Sequence, residues 1–364
     1  MLCVKRIPME LRFLFFLSFL LGLLCPFSMG AQDNQEPPHA CFQLGDERVI
    51  PFQATIVDTS GGILCYEFPY REVWKGKQVF ARIPGFEFSY TFRINRFVFG
   101  SDPGSRAVSE YNITPFLDTG SNRIELVLNP GTGVPVPDPC PLCEKGSLVV
   151  RDAMHVRDLV ISTYSGTVDY ETLVRYHLFI KSYLIERNQG RKLEVRVLDP
   201  GGNQVFMEGR MLDFPLSFGQ ETEIIIDHIL ENPVLWSPSD PGLYSLEVTI
   251  SDQTEGSETI RSPFGIRTAV RTDSLLVING DSISLSVAEG ELTDSLLYST
   301  EADIISLLKG GGFNAIETDL PLPHRLVDLF DRQGIILVRK RKRVIPRADR
   351  PHINAPSIIW PGKN

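Results

Sequence analysis

The sequence contains few of the residues that build metal or nucleophile centres. It has six cysteines, six histidines and three tryptophans in 364 residues. The histidines show no metal-binding pair spacing, and the chain lacks a nucleophile elbow, a phosphate-binding loop and a dinucleotide fingerprint. We therefore expect no metal and no cofactor, and the sequence argues against serine hydrolases and nucleotide-dependent enzymes.

Excess positive charge is also absent. Lysine and arginine number 36 against 45 aspartates and glutamates, which gives a formal net charge of −9. A molecule with this balance does not seek polyanions, so we expect no nucleic-acid partner.

Long apolar runs are lacking except near the amino terminus. There, the run from Phe13 to Phe27 follows a basic start and precedes small residues. This order is typical of a cleavable export signal, so residues 1–31 are predicted to be a signal peptide. A membrane span is the alternative, but the run is shorter than the about 20 residues that a span needs and contains Pro26. We expect an exported protein, periplasmic or secreted, with no membrane span after signal removal.

Four cysteines lie outside the predicted signal peptide. In an exported protein an even number favours disulfides, and four cysteines allow three pairings. Two of them form a Cys-x-x-Cys pair within a proline-rich stretch, a context unlike that of a thioredoxin-type motif. Free thiols and a metal or redox site are the alternatives. The disulfide candidates are Cys41, Cys65, Cys140 and Cys143.

Alternating apolar and polar residues dominate the chain from about residue 42 to 268. Each alternating segment predicts a strand with one buried face, and turn sequences rich in Gly, Pro and Asp separate the segments. The spacing of the later strands fits an immunoglobulin-type sandwich. The predicted inward residues are Phe88, Tyr90, Phe92, Ile94, Ile124, Leu126, Leu128, Val174, Tyr176, Leu178, Ile180, Leu193, Val195, Val197, Tyr244, Leu246, Val248 and Ile250.

The pattern changes after about residue 270. No long helical period occurs before about residue 299, and strands then alternate with helices. This order implies parallel strands joined by right-handed crossovers. The predicted elements are a strand at 283–287, a helix that starts in a capping sequence at Thr300–Asp303 and stops at Gly310–Gly312, a strand at 313–318, a helix at 323–333 ended by Gly334, and a strand at 335–338.

Three separated segments resemble glycoside hydrolase family 2, which includes β-galactosidases and β-glucuronidases. WKGKQVFARIPGF (74–86) and INRFVFGSDPGSRAVSEYNITPFLDTGSNRIELVLN (94–129) are similar to its sugar-binding jelly-roll domain. PVLWSPSDPGLYSLEVTI (233–250) is similar to its immunoglobulin-like domain. ADIISLLKGGGFNAIETDLPLPHRLVDLFDRQGIILV (302–338) resembles the first turns of its catalytic (β/α)₈ barrel.

The patterns and the resemblance together predict a mainly β fold. It consists of a jelly-roll sandwich and an immunoglobulin-like β-sandwich, followed by a short α/β segment that is part of a TIM barrel. The predicted boundaries are 32–145 for the jelly-roll sugar-binding-like domain, 146–269 for the immunoglobulin-like domain, 270–338 for the partial barrel and 339–364 for a basic, proline-rich tail.

Departures from the family concern its catalytic residues. The resemblance implies an acid/base Glu after an Asn near the end of barrel strand four and a nucleophile Glu near strand seven. We expect both positions to lie beyond residue 364, since residues 270–364 are far fewer than the about 250 of a whole barrel. Glu317 stands where the family usually has Arg, and Arg339 and Lys340 replace an acidic pair. The sequence therefore predicts loss of the catalytic machinery.

One acidic pair remains a catalytic candidate. Glu317 and Asp319 lie two residues apart at a predicted strand end, where barrel enzymes place their chemistry. Retaining hydrolysis needs two carboxyl groups about 5–5.5 Å apart, one of them with a raised pKa. A partial barrel would leave this end in water, so we interpret both residues as solvated acids.

Two further features suggest binding. Trp74 is a carbohydrate-binding candidate because sugar sites stack aromatic rings on pyranoses, with core packing as the alternative. The basic run Arg339–Arg343 is either a solvated surface or a site for phosphate, sulfate or uronate groups. Its charges also discourage strand addition, so we predict that strand 335–338 is the open edge of a three-stranded sheet.

The sequence thus predicts an exported family-2-like protein of carbohydrate metabolism that is not itself catalytic. Its partner is expected to be an oligo- or polysaccharide, or a protein that it scaffolds. One alternative is a β-galactosidase-like glycosidase that acts with a second chain or as a fragment of a longer enzyme. Another is a structural interaction module without affinity for sugar.

Overall fold

A computed structural model describes two β-sandwiches and an α/β unit. The described residues are 35–36, 42–45, 48–52, 55–58, 62–83, 89–103, 108–128, 146–165, 171–184, 190–212, 214, 216–252, 256–271, 275–288, 299–318, 322, 324–339 and 354–359.

Strands make up most of the described structure, which confirms the predicted mainly β fold. The two described α-helices both follow residue 299, as expected. The helices are α1 Glu301–Gly310 and α2 His324–Gln333. The strands are β1 Gln35–Glu36, β2 Val49–Pro51, β3 Thr55–Asp58, β4 Ile63–Pro69, β5 Gln78–Ile83, β6 Tyr90–Ile94, β7 Phe97–Asp102, β8 Ser109–Asn112, β9 Ser121–Leu128, β10 Ser147–Arg151, β11 Met154–Ser165, β12 Glu171–Ser182, β13 Lys192–Leu198, β14 Gln204–Met211, β15 Glu221–Glu231, β16 Tyr244–Asp252, β17 Gly256–Phe264, β18 Ala269–Arg271, β19 Leu276–Ile278, β20 Asp281–Ile283, β21 Val287–Ala288, β22 Ala315–Glu317, β23 Ile336–Val338 and β24 Ile358–Ile359.

The first sandwich consists of two five-stranded antiparallel sheets. Their strand orders are β1-β8-β5-β10-β2 and β3-β4-β9-β6-β7. The apolar faces of the two sheets share one core. The predicted inward residues Tyr90, Phe92, Ile94, Ile124 and Leu126 are buried in that core, and Leu128 packs against it half-buried. Phe88 lies outside the described residues.

The second sandwich packs a three-stranded sheet on a four-stranded sheet. The strand orders are β11-β12-β15 and β14-β13-β16-β17. Every second residue of β12, β13 and β16 enters the core, and all of the inward positions predicted for these strands are buried. Each fully buried aliphatic side chain contributes about 1.5–3 kcal/mol.

The predicted boundary between the sandwiches at residue 145 is too early. β10 pairs with β5 and β2 of the first sandwich, and its residues Leu148 and Val150 lie in the first core. Conversely, Phe42 packs in the core of the second sandwich. The proline-rich stretch before residue 146 suggested a domain border, but the pairing of β10 is decided by contacts far away in the sequence.

A buried charge cluster joins the two sandwiches. Glu258 of β17 accepts hydrogen bonds from Arg151 at 2.6 Å and from Arg48 at 3.1 Å. Arg48 also donates to Asp152 at 3.0 Å, and Lys77 donates to the same carboxylate at 3.0 Å. Glu258 is 3% exposed and Arg151 is 1% exposed. Water is therefore excluded from the ion pair between Arg151 and Glu258, and each of these two charges depends on the other for its stabilisation.

The third unit combines an antiparallel sheet, β18-β19-β20, with a parallel sheet, β21-β22-β23-β24. The predicted parallel pairing is confirmed. The strand predicted at 283–287 is instead divided: β20 ends at Ile283 in a hairpin, and the first parallel strand starts at Val287. The residues between them, Ser284, Leu285 and Ser286, include neither Gly nor Pro, so no turn residue marks this change of direction.

Helix α1 begins with the predicted cap. Thr300 Oγ1 accepts a hydrogen bond from the backbone N–H of Asp303 at 3.2 Å. Thr300→Ala should lower the free energy of unfolding by about 1 kcal/mol, because one helix-terminal N–H loses its partner. Urea denaturation checks this value, with Thr300→Ser as a control that keeps the hydroxyl and should stay within a few tenths of a kcal/mol. An equal loss in both variants would contradict the capping role.

The prediction of an open edge at strand 335–338 is wrong. β24 pairs with β23 in parallel and adds a fourth strand. Arg339 is also not solvated: it is 2% exposed and donates from Nη1 to the Thr318 carbonyl at 3.0 Å. The remaining basic residues, 340–343, lie outside the described residues. A strand of two residues is too short for an alternating pattern to reveal.

Residues 354–359, here named the C-terminal clasp, bind both the second sandwich and the α/β unit. Arg267 donates to the carbonyls of Pro356 at 2.5 Å and Ile358 at 2.7 Å. The Ser357 N–H donates to Asp331 Oδ1 at 2.8 Å. A Cβ on Gly265 would lie 2.7 Å from the Pro356 ring, so only glycine permits this close approach.

Candidate functional site

The carboxyl end of the parallel sheet is the place where a barrel-like fold positions chemistry. Glu317 is the last residue of β22, and its Oε1 lies 3.7 Å from Nη2 of Arg271. Arg271 also donates from Nη1 to the carbonyl of Arg339 at 3.0 Å. Glu317 thus occupies the predicted place, but it forms an ion pair that ties the parallel sheet to β18.

The second catalytic candidate cannot be placed beside the first. Asp319 lies outside the described residues. β24, Ile358–Ile359, is the fourth parallel strand, and the expected place of the family's acid/base Glu beyond residue 364 stays a prediction. Of the two catalytic candidates, the structure therefore describes Glu317 alone.

Trp74 is a core residue of the first sandwich. It is 4% exposed and packs against Phe68 and Tyr70, with ring centroids 6.1 and 5.8 Å away. The guanidinium of Arg71 lies 5.8 Å from its ring centroid. A sugar platform needs an accessible ring face, so the predicted carbohydrate-binding role of Trp74 is wrong. The alternative of core packing is the one that the structure supports.

Cys65 has a free, buried thiol on β4. Its Sγ accepts a hydrogen bond from Nη2 of Arg123 at 3.1 Å. Cys41, Cys140 and Cys143 lie outside the described residues, so their disulfides stay a prediction.

Within the described ranges, no group of three or more His, Cys, Asp and Glu side chains could hold a metal ion. In the same part of the chain, neither helix has the length and apolar character needed to cross a bilayer.

Two ionisable groups with shifted pKa values, Asp331 and Arg267, contact the C-terminal clasp, and sequence reasoning missed them. Burial raises the pKa of Asp331 to about 7, although hydrogen bonds from Ser357 act in the opposite direction. Burial likewise lowers the pKa of Arg267 to about 10, against the attraction of Asp331. For both groups the loss of water outweighs the attraction. No sequence pattern marks them, since Asp and Arg side chains usually lie at the surface.

The described residues thus form two β-sandwiches and an α/β unit. The parallel strands of that unit lie side by side in sequence order, as in the first part of a (β/α)₈ barrel. The family model for glycosyl hydrolases family 2 matches residues 155–267. The β-galactosidase of Staphylococcus xylosus is 27% identical over 310 residues, which cover 81% of this chain and 29% of the relative. A β-galactosidase of Leuconostoc mesenteroides is 29% identical over 122 residues, which cover 32% of this chain and 12% of the relative.

Solved structures share the fold. A Bacteroides uniformis β-glucuronidase superimposes with a TM-score of 0.67 at 20% identity, covering 82% of this chain and 40% of that one. A putative β-galactosidase of Bacteroides fragilis gives a TM-score of 0.66 at 16% identity, covering 82% and 50%. The resemblance to glycoside hydrolase family 2 is therefore confirmed. The chain spans less than a third of the length of the curated relatives named above.

Proposed function

We propose that this polypeptide is a non-catalytic carbohydrate-binding protein of the glycoside hydrolase family 2 type. The ion pair between Glu317 and Arg271 carries the proposal, because it engages the one described catalytic candidate with a cation. A carboxyl group held in this way supports the packing of β22 on β18. Glycosidase chemistry would require a second carboxyl group facing the first across the scissile bond.

The carbohydrate part of the proposal is supported by the two sandwiches. Both have continuous cores, and the relatives that share them are named β-galactosidases and β-glucuronidases. The export signal predicted at residues 1–31 supports a periplasmic or secreted location, where polysaccharides are accessible. The net charge of −9 supports a neutral glycan rather than a nucleic acid as the partner.

Hydrolysis by the purified polypeptide tests the non-catalytic part. Chromogenic β-galactosides and β-glucuronides should be turned over no faster than in buffer, by wild type and by Glu317→Gln alike. Glu194→Gln, a change on the outer face of the second sandwich, serves as the matched control. Turnover by wild type that disappears in Glu317→Gln but persists in Glu194→Gln would overturn the proposal and favour an enzyme.

Binding to a printed glycan array tests the carbohydrate part. The wild-type protein should bind at least one class of oligosaccharide reproducibly at micromolar protein concentration. Binding to none of the glycans would contradict the proposal and favour a structural interaction module.

A further inference from the structure

An aromatic side chain projects into water from the connection between the two sheets of the second sandwich. Phe218 lies between β14 and β15, and it is 61% exposed. Its neighbours Ser217, Gly219 and Gln220 are exposed as well. Leaving an apolar ring largely in water forgoes much of the stabilisation that its burial would contribute. Packing within the sandwich therefore does not explain a phenylalanine at this position.

Hydrogen bonds hold the turn that presents this ring. The Gly219 N–H donates to the Ser182 carbonyl at 2.7 Å, and the Ser182 N–H donates to the Gln220 carbonyl at 3.0 Å. The Ser217 N–H donates to Gln220 Oε1 at 2.9 Å. Gly219 has a φ of 77°, a conformation that favours glycine. The ring of Phe218 is thus carried by a turn anchored to the end of β12, which lowers the entropy lost on binding.

A second ring stands against the first. The centroids of Phe218 and Tyr183 are 5.5 Å apart and the rings are nearly perpendicular, at 80°. Tyr183 stacks on its other side with His155 at 6.0 Å, and His155 is buried. Nζ of Lys181 lies 5.3 Å from the centroid of Tyr183. The rings of Phe218 and Tyr183 therefore form a corner that rests on His155. The ammonium group of Lys181 lies beside this corner.

We propose that Phe218, Tyr183 and Lys181 form a carbohydrate-binding site that takes one hexopyranose unit of an oligosaccharide. A pyranose has an apolar C–H face that fits an exposed ring and hydroxyl groups that hydrogen-bond at its edge. Nζ of Lys181 lies beside the ring of Tyr183, and the polar residues Ser217 and Gln220 belong to the same turn as Phe218. The inference rests on the proposed function, because it locates the sugar binding that the proposed function requires.

The size and surroundings of the site favour a sugar over a protein. A stable protein interface needs about 800 Å² from each partner, with an apolar centre. Here the exposed ring is flanked in the chain by a serine, a glycine and a glutamine. One ring with a polar margin matches a monosaccharide unit better than a protein surface.

Substitution of the exposed ring tests the site. Oligosaccharides with β-galactoside and β-glucuronide ends are screened on an array, and the best-bound one is titrated by calorimetry. Phe218→Ala should weaken its binding at least tenfold, whereas Phe218→Trp should retain it. Tyr164→Ala is the matched control, since Tyr164 is an exposed aromatic residue on β11 and its removal should change the affinity less than twofold. Circular dichroism confirms that each variant is folded.

The possible outcomes separate this site from the proposed function. If wild type binds an oligosaccharide and Phe218→Ala binds it equally well, the site is wrong while the proposed function stands. If wild type binds no glycan, both fail. A change of oligomeric state in Phe218→Ala, measured by light scattering, would overturn the site in favour of contact between copies of the chain.

Discussion

Glu258→Ala should lower the free energy of unfolding by about 3–5 kcal/mol, since removing one member of a buried ion-pair network leaves the buried guanidinium of Arg151 without its carboxylate partner. Arg151 and Arg48 both donate to this carboxylate from the first sandwich. After the substitution two guanidinium groups would remain near the junction of the sandwiches without their shared acceptor. Guanidinium chloride denaturation followed by circular dichroism measures the loss.

The control for this prediction is an exposed ion pair on the same sheet. Glu194 accepts a hydrogen bond from Lys192 at 2.9 Å on the outer face of the second sandwich. Glu194→Ala should cost less than about 1 kcal/mol, because water replaces the lost partner. Similar losses of unfolding free energy in the two variants would show that the buried Glu258 contributes no more to stability than an exposed carboxylate, and would contradict the prediction.

Asp331→Asn should remove a large part of the pH dependence of stability between pH 4 and 7. The folded-state pKa of Asp331 is raised by burial to about 7, above its unfolded value of about 3.9. The stability that this group contributes is therefore fully present below about pH 4 and is lost as the pH rises through 7. A difference of about three pKa units corresponds to roughly 4 kcal/mol.

Urea denaturation at pH 4.5 and pH 8 measures this effect. The free energy of unfolding of Asp331→Asn minus that of wild type should increase by roughly 3–4 kcal/mol between the two pH values. The amide oxygen of the variant can still accept the Ser357 N–H, so the clasp keeps its contact. Asp281→Asn, at an exposed acid on β20, is the control. If the free energies of unfolding of Asp331→Asn and wild type changed with pH in parallel, the buried carboxyl group would not be the cause of the pH dependence.

Sequence patterns predicted the elements whose signals are local. The alternation in β12 is long enough to assign every inward residue, and the Thr300 cap fixes the start of α1. The resemblance added the order of the units. In each of these cases the side chain and its structural role lie within one element, so periodicity or a short motif is sufficient.

Features that depend on distant partners were not predictable in this way. β10 looks like the first strand of the second sandwich in the sequence, but it pairs with β5, about 70 residues earlier. A tryptophan such as Trp74 can stack against a sugar ring, but here its side chain is buried in the core of the first sandwich. The proposal for Phe218 depends on its exposure and its contact with Tyr183, which an isolated phenylalanine in a turn does not reveal in the sequence.

The clasp has a mechanical consequence for the molecule. Its six residues take hydrogen bonds from Arg267 on one side and give one to Asp331 on the other, while Pro356 fills the space above Gly265. Swinging the α/β unit away from the immunoglobulin-like sandwich would require the contacts on one side of the clasp to break. Trp236, whose Nε1 donates to the Asp331 carbonyl at 2.8 Å, would have to be released at the same time, so the angle between the two bodies is fixed at two separate places.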